Sequence, residues 1–417
     1  MVNEMRFAVL ADIHIGRSIP LAIAEHRRLA FSRAFTQAVD AVVEAGVDYV
    51  FICGDLFERR TLRPHLVQFT HDELYRLAKE TKGRHGKTPK ILVIRGNHDG
   101  RPQSDALDYL KHPLAEYLHI FEEGKVTYKD ENITVVGINY YDQIDRAYEA
   151  YAKPALEEAQ GLKVLMIHSF IAGYNLIPPY SSSLSLDVLA ETDSDYVFSG
   201  HYHLKCPPKR LPSNGWVLTP GSLEMYDFGE HPEKGFYIID HGEAPKFTWI
   251  PLEPLHFMKR ARIDSERRQT PAWFSRRILE EVNLFRLDLE RTGKEGYLRI
   301  RVRGPLRDGL PGDIDLEPVN RLIHDDPSLL WVDVDTIGVE MPLVARAVEQ
   351  EQIDVATFFA PLGEFAGEIT KMHTRVREAL EEQASATTGL LTASQRVSLV
   401  EEWVGHFEAR KFREEDL

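Results

Sequence analysis

At 417 residues the chain exceeds one ordinary domain, and 43% hydrophobic residues supply material for more than one core. Its net charge of −15 argues against a protein that coats nucleic acid through its whole surface, while leaving room for a local basic face. The two cysteines, Cys53 and Cys206, imply no disulfide framework and read as reduced thiols of a cytoplasmic protein.

The first apolar run is cut at Asp12, so it reads as a strand and not as a signal peptide. No run approaches the length of a membrane span, and no membrane association is expected. Residues 7–11, 49–53, 91–95, 133–138 and 164–167 are short apolar, β-rich runs that predict buried strands. A helix is predicted over 23–45, closed by Gly46, and another over 65–79. Strand–helix alternation of this kind predicts an α/β layered core.

From 196 to 250 the pattern changes to short strands at 196–199, 216–219, 236–240 and 247–250. The turn dipeptides Pro207-Pro208, Asn214-Gly215, Pro220-Gly221 and His241-Gly242 punctuate this stretch. It predicts a second, more antiparallel sheet completing the first domain, residues 1–252. Residues 253–340 read as a small α+β domain. Within it, 256–310 carry a basic excess of about six charges, including Lys259, Arg260, Arg262, Arg299, Arg301 and Arg303. The run Tyr297-Leu298-Arg299-Ile300-Arg301-Val302-Arg303 alternates apolar with basic, as a strand with one wet, positive face would. This charge reads either as a nucleic-acid contact or as an ordinary solvated face.

Residues 341–417 begin with a linker-like stretch. Two amphipathic helices follow, one through Phe365, Ile369, Met372, Val376 and Leu380. The other is capped at Thr392-Ala393-Ser394-Gln395 and carries Val397, Val400, Val404 and Phe407. They read either as packing on their own domain or as a helical hairpin that binds a partner.

Five segments put metal-type ligands at the end of a predicted strand: Asp12-Ile13-His14, Gly54-Asp55, Gly96-Asn97-His98-Asp99, Ile167-His168 and Gly200-His201-Tyr202-His203. Because the pleat has period two, a D-x-H or H-x-H pair can aim both side chains the same way. Strand ends can then bring them to one crevice. A pair of cations about 3.5–4 Å apart needs a bridging ligand, and the Asp55 carboxylate suits that part. Neutral imidazoles and an amide oxygen would leave the metals enough positive charge to activate water and stabilise a phosphoryl transition state. Mixed N/O ligation favours Mn²⁺, Fe²⁺ or Zn²⁺ over a pure oxygen site for Mg²⁺ or Ca²⁺. Cys206, three residues after His203, is a further candidate ligand, but the site fills without it.

The ordered set ADIH, GDLFE, GNHD, IHSF and GHYH resembles the calcineurin-like metallophosphoesterase superfamily. The segment Pro220-Gly221-Ser222-Leu223-Glu224-Met225-Tyr226-Asp227-Phe228-Gly229-Glu230, followed by Lys234-Gly235-Phe236, narrows the resemblance to the SbcD (Mre-eleven) family of DNA double-strand-break repair nucleases. The resemblance covers residues 1–250 well and the later segments more loosely. It implies a layered α-β-β-α core, a small α+β cap domain and C-terminal helices. It assigns one metal to Asp12, His14, Asp55 and His203, and a second to Asp55, Asn97, His168 and His201. His98 would contact the scissile phosphate and help protonate the leaving oxygen, with Asp99 orienting it, during in-line attack on phosphorus.

The implied cofactor is a pair of Mn²⁺ ions, with Fe²⁺, Zn²⁺ or Mg²⁺ as alternatives. The implied partners are DNA, a second copy of the chain, and an SMC-like ATPase (SbcC or Rad-fifty) docking on the C-terminal helices. The implied activities are double-strand exonuclease and single-strand or hairpin endonuclease. One departure is Glu58, where the family commonly has a histidine that contacts DNA. An acid there would repel phosphate unless a metal, Arg59 or Arg60 compensates. Candidate DNA contacts are therefore Glu58, Arg59, Arg60, Lys259, Arg260 and Arg262. The competing readings are a small-molecule phosphodiesterase or phosphatase, and a DNA- and ATPase-binding scaffold with weak catalysis. A protein phosphatase would usually show Asp-Arg-Gly where this chain has Glu58-Arg59-Arg60.

Overall fold

The computed structural model describes residues 4–100, 105–111, 113–342, 367 and 369–375. One sheet runs β14-β13-β1-β2-β3-β4, from β1 (Met5–Leu10), β2 (Tyr49–Cys53), β3 (Lys90–Ile94), β4 (Leu118–Ile120), β13 (Gly235–His241) and β14 (Lys246–Pro251). A second runs β11-β12-β10-β7-β6-β5, from β5 (Thr127–Lys129), β6 (Ile133–Gly137), β7 (Leu162–His168), β10 (Tyr196–Gly200), β11 (Cys206–Arg210) and β12 (Trp216–Thr219). Between these in sequence, β8 (Phe170–Ala172) and β9 (Ser183–Ser185) pair with each other.

Each strand of the two sheets' centre is apolar on both faces because both faces are covered. Phe7, Val9, Phe51, Leu92 and Ile94 meet Val135, Val164, Met166 and Phe198 in a core between the sheets. The alternate residues Ala8, Leu10, Val50, Ile52, Ile91 and Val93 face helices α1 (Ala24–Ala45) and α2 (Pro64–His85). On the far side, Val136, Leu165, Ile167 and Val197 face the short helices α4 (Ile144–Ala147), α5 (Lys153–Glu158) and α6 (Leu186–Ala190). Another short helix, α3 (Asp108–Lys111), precedes β4. The order of layers is helix, sheet, sheet, helix, as the sequence led us to expect.

The expectation of a later, more antiparallel sheet is corrected. The strands at 196–199 and 216–219 pair in parallel with each other, and the first also pairs in parallel with β7. Those at 236–240 and 247–250 join the other sheet, β13 antiparallel to β1. Strand order along the chain does not state which edge a new strand joins, and here successive pairs complete different sheets.

Residues 257–340 form a separate three-stranded sheet of β15 (Phe257–Asp264), β16 (Gly296–Pro305) and β17 (Leu329–Glu340), all parallel. Helices α7 (Pro271–Thr292) and α8 (Glu317–Asp325) are the crossovers and cover one face with their own apolar core. The other face begins at Met258 and Tyr297, packed on Met225 and Phe228, and continues outward to arginines.

By compactness, Arg307–Leu310 and Met341–Leu417 form a second unit. Its described residues 369–375, including Ile369 and Met372, are helical. Phe365, Val376, Leu380 and the whole of the second amphipathic segment lie outside the described residues. Among the described residues no helix is long and apolar enough to cross a membrane.

Candidate metal centre

The ligand-bearing segments all leave the carboxyl ends of parallel strands. Asp12 and His14 follow β1, Asp55 follows β2, Asn97 and His98 follow β3, His168 ends β7, and His201 and His203 follow β10. The loops after β1 and β2 stay paired beyond the sheet. Asp12 N–H donates to Gly54 O at 3.1 Å, His14 N–H to Asp55 O at 2.9 Å, and Glu58 N–H to Ile15 O at 3.0 Å. Asp12, His14, Asp55 and His201 adopt positive φ, between 51° and 76°, so each side chain is delivered from a tight left-handed kink. Asp and His tolerate that region better than most non-glycine residues. Gly96 is required by space: a Cβ there would lie 2.1 Å from Asp55 Oδ1 and 2.5 Å from Asp55 N.

Among the described residues three groups of closely spaced donors result, one of them His14, Glu58 and His98, and the other two are built from the expected ligands. Asp12, His14 and His203 form one group of closely spaced donors, and His14 Nε2 and His203 Nε2 are 3.3 Å apart. Asp12, Asp55 and His168 form the next, with His168 Nε2 3.3 Å from Asp55 Oδ2. Asn97 Oδ1 completes the second side, 3.1 Å from His168 Nε2 and 3.0 Å from His201 Nδ1. All seven expected ligands therefore converge, whereas Cys206 belongs to neither cluster and instead takes a hydrogen bond from Asn175.

The donor set fits divalent cations. Asp12 Oδ2 is buried without a hydrogen-bond partner, an arrangement costly for a carboxylate unless a cation satisfies it. Burial would push the His168 imidazolium down, but Asp55 and then Asp12 raise its pKa to about 9. The same negative field would favour a divalent ion. His168 Nδ1 donates to Cys53 O at 2.8 Å, which leaves Nε2 as the atom that could bind a metal. Burial and the nearby His168 push His201 down to about 4, keeping it neutral, as a ligand must be.

His98 lies beside the clusters and is partly exposed. Its Nδ1 donates to Glu58 O at 2.8 Å, and its backbone N–H donates to Asp55 Oδ1 at 2.8 Å. That leaves Nε2 free for a substrate. The expectation that Asp99 orients His98 is corrected, because the Asp99 carboxylate accepts backbone N–H groups of Phe57 at 2.8 Å and Gly96 at 2.9 Å. It thereby ties the second and third ligand loops together. Burial, then the Asp55 charge, raises the Asp99 carboxyl to about 6.

Glu58 is buried beside His14 and His98. It is 3% exposed, its Oε1 accepts from Arg17 Nη1 at 2.7 Å, and its Oε2 lies 3.2 Å from His14 Nδ1. Arg17, not Arg59 or Arg60, is its counter-charge; Arg59 and Arg60 are exposed on the loop that follows. Burial alone would raise the Glu58 carboxyl, but His14 and Arg17 hold it below its usual range.

Sequence reasoning assigned no role to Arg17, Glu230 or Lys234. His203 Nδ1 is 2.8 Å from Glu230 Oε1, and Lys234 Nζ is 2.7 Å from Glu230 Oε2. A usable signal was charged residues set among apolar ones next to the ligand segments.

The basic residues divide between two faces of the three-stranded sheet. Arg260 and Arg262 are exposed on the open face, in register with Arg299 and Arg301. Lys259 points the other way and pairs with Asp288 of α7 at 2.7 Å, so its grouping with Arg260 and Arg262 is corrected by strand alternation. Asp333 neutralises Arg299 at 2.8 Å, so the open face is less positive than its strand alone suggests.

Residues 5–205 match the family model for calcineurin-like phosphoesterases. The chain is 23% identical over 285 residues to the DNA double-strand break repair protein Mre11 of Methanopyrus kandleri, covering 63% of this chain and 60% of that protein. It is 25% identical over 248 residues to the protein of the same name from Methanococcus maripaludis, covering 57% and 63%. An uncharacterized metallophosphoesterase, YhaO of Bacillus subtilis, is 22% identical over 253 residues, covering 57% and 58%. The chain thus spans less than two-thirds of these relatives' own lengths. With the strand-end ligand clusters and the four-layer core, these matches show that the chain carries a calcineurin-like metallophosphoesterase domain over residues 5–205.

Proposed function

We propose that the protein is a metal-dependent DNA nuclease that hydrolyses phosphodiesters and works in double-strand-break repair. The observation that carries this is the convergence of Asp12, His14, Asp55, Asn97, His168, His201 and His203 beside a histidine, His98, whose Nε2 is unengaged. Similarity to proteins named for DNA double-strand break repair selects DNA among phosphoesters. A bound pair of Mn²⁺ ions would activate water and screen the charge of the phosphoryl group. Asp55, whose Oδ2 is 3.8 Å from His14 Nε2 and 3.3 Å from His168 Nε2, would serve both metals, and Asp12, His14 and His203 would hold one. Asn97, His168 and His201 would hold the other. His98, fixed by Glu58 O, would donate from Nε2 to the departing oxygen. Arg260 and Arg262 would follow the DNA backbone. A second copy of the chain, and an SMC-like ATPase docking on residues 341–417, complete the proposed cytoplasmic assembly, with residues 253–340 as its cap.

The test is cleavage of linear and plasmid DNA by the full chain with Mn²⁺, His98→Ala serving as control. Metal-dependent cleavage by wild type, lost in the variant, is expected. No cleavage with or without the ATPase would favour a scaffold. Hydrolysis of bis(p-nitrophenyl) phosphate without DNA cleavage would favour a small-molecule phosphodiesterase.

A further inference from the structure

The two sides of the centre are not built alike. Behind His14 stands Glu58, with Oε2 3.2 Å from the imidazole Nδ1, and behind Glu58 stands Arg17 at 2.7 Å. Behind His203 stands Glu230, 2.8 Å from its Nδ1, and behind Glu230 stands Lys234 at 2.7 Å. The same order of cation, carboxylate and imidazole therefore occurs twice, on segments far apart in sequence, hydrogen-bonded at His203 and at ion-pair distance without an aligned hydrogen bond at His14. Both end on histidines of one cluster.

Tyr226 joins them. Arg17 lies over its ring at 3.4 Å, its backbone N–H donates to Glu230 Oε2 at 2.8 Å, and its ring sits 4.6 Å from His14 and 4.7 Å from His203. On the other side of the centre, His168 donates to the neutral carbonyl of Cys53, and His201 Nδ1 lies 3.0 Å from the amide oxygen of Asn97. No carboxylate backs either ring among the described residues.

A carboxylate on the far nitrogen of a ligating imidazole fixes its tautomer and orientation and makes the near nitrogen more basic. The cation behind keeps each carboxylate ionised and in place, since an unpaired buried charge is costly. We propose that Glu58 and Glu230 are paired positioning residues that make the Asp12–His14–His203 position the tighter metal site, filled first. The Asn97–His168–His201 position is the weaker, exchangeable one. The inference rests on the two-metal reading given above.

Isothermal titration of the metal-stripped full chain with Mn²⁺ tests it. Wild type is expected to show two steps. Glu58→Gln and Glu230→Gln should each weaken the tighter step by on the order of 10–100-fold and leave the weaker one unchanged. His201→Ala should remove only the weaker step. The melting temperature of the metal-free variants separates a positioning role from a structural one. If Glu58→Gln melts early, because Arg17 loses its carboxylate, Glu230→Gln decides alone, since Lys234 keeps Ser222 Oγ and His203 O as acceptors. Equal weakening of both steps, or of neither, with an unchanged melting temperature would overturn the inference. No Mn²⁺ binding by wild type would instead overturn the two-metal reading itself.

Discussion

At the scale of single residues, His98 and Gly96 separate chemistry from geometry. The His98 imidazole hydrogen-bonds the protein through Nδ1 and leaves Nε2 unengaged, so His98→Ala should leave Mn²⁺ binding intact while lowering kcat by about 10²–10⁴-fold. Stopped or steady-state hydrolysis alongside a Mn²⁺ titration would check the split. Gly96→Ala should do the reverse. Its Cβ would strike the Asp55 backbone nitrogen as well as the carboxylate, so no rotamer relieves it, and Mn²⁺ binding and melting temperature should fall together. The convergence of the candidate ligands was legible from sequence because Asp, His and Asn recur at strand ends in a set order. Glu58 was legible as a departure but not in its direction. A loop side chain turns toward whichever charge is buried near it, and Arg17 is brought there only by the fold.

At the scale of elements, the buried strands were legible because a strand covered on both faces is a continuous apolar run. Which sheet each strand joins was not, because β10 and β13 have equally apolar sequences and only pairing distinguishes them. The alternation in β16 correctly marked a strand with arginines on one side, but it could not reveal the aspartates that β17 lays beside them. If the open face contacts DNA, Arg260→Gln with Arg262→Gln should reduce the slope of log affinity against log salt by about 0.9 per lost phosphate contact. Lys259→Gln should leave that slope unchanged and cost roughly 0–1 kcal/mol of stability, as expected for a half-exposed ion pair. Binding titrations across a salt series would distinguish the two faces. Equal slopes for both variants would dismiss the assignment.

At the scale of the whole molecule, His256 sits where the three-stranded sheet meets α1, against His26 and Tyr297. Burial, then the charges of His26 and Arg27, depress its pKa from 6.5 to about 4, and both ring nitrogens lack hydrogen-bond partners. Glu295, 4.0 Å from Nδ1, is the nearest acid and does not reverse this. A histidine with a depressed folded pKa binds more protons when unfolded. Its contribution is therefore complete above pH 6.5 and is lost as pH falls from 6.5 toward 4. Thermal melts across that window should show stability falling with acid, and His256→Asn should flatten the part due to this residue. Identical pH profiles for both proteins would refute the assignment.

The left-handed kinks at Asp12, His14, Asp55 and His201 bear on how relatives of this chain can be judged. Those four positions are held by two demands at once, a donor for a cation and a residue that accepts positive φ. A descendant that has lost catalysis would still be under pressure to keep Asp, Asn, His or Gly there, simply to turn the chain. Asn97, His98, His168 and His203 have no such backbone excuse, since none adopts positive φ. Their retention would track the chemistry alone. In sorting working phosphoesterases from silent ones that keep the same turns, His168 and His98 carry more diagnostic weight than the more conspicuous Asp12-Ile13-His14.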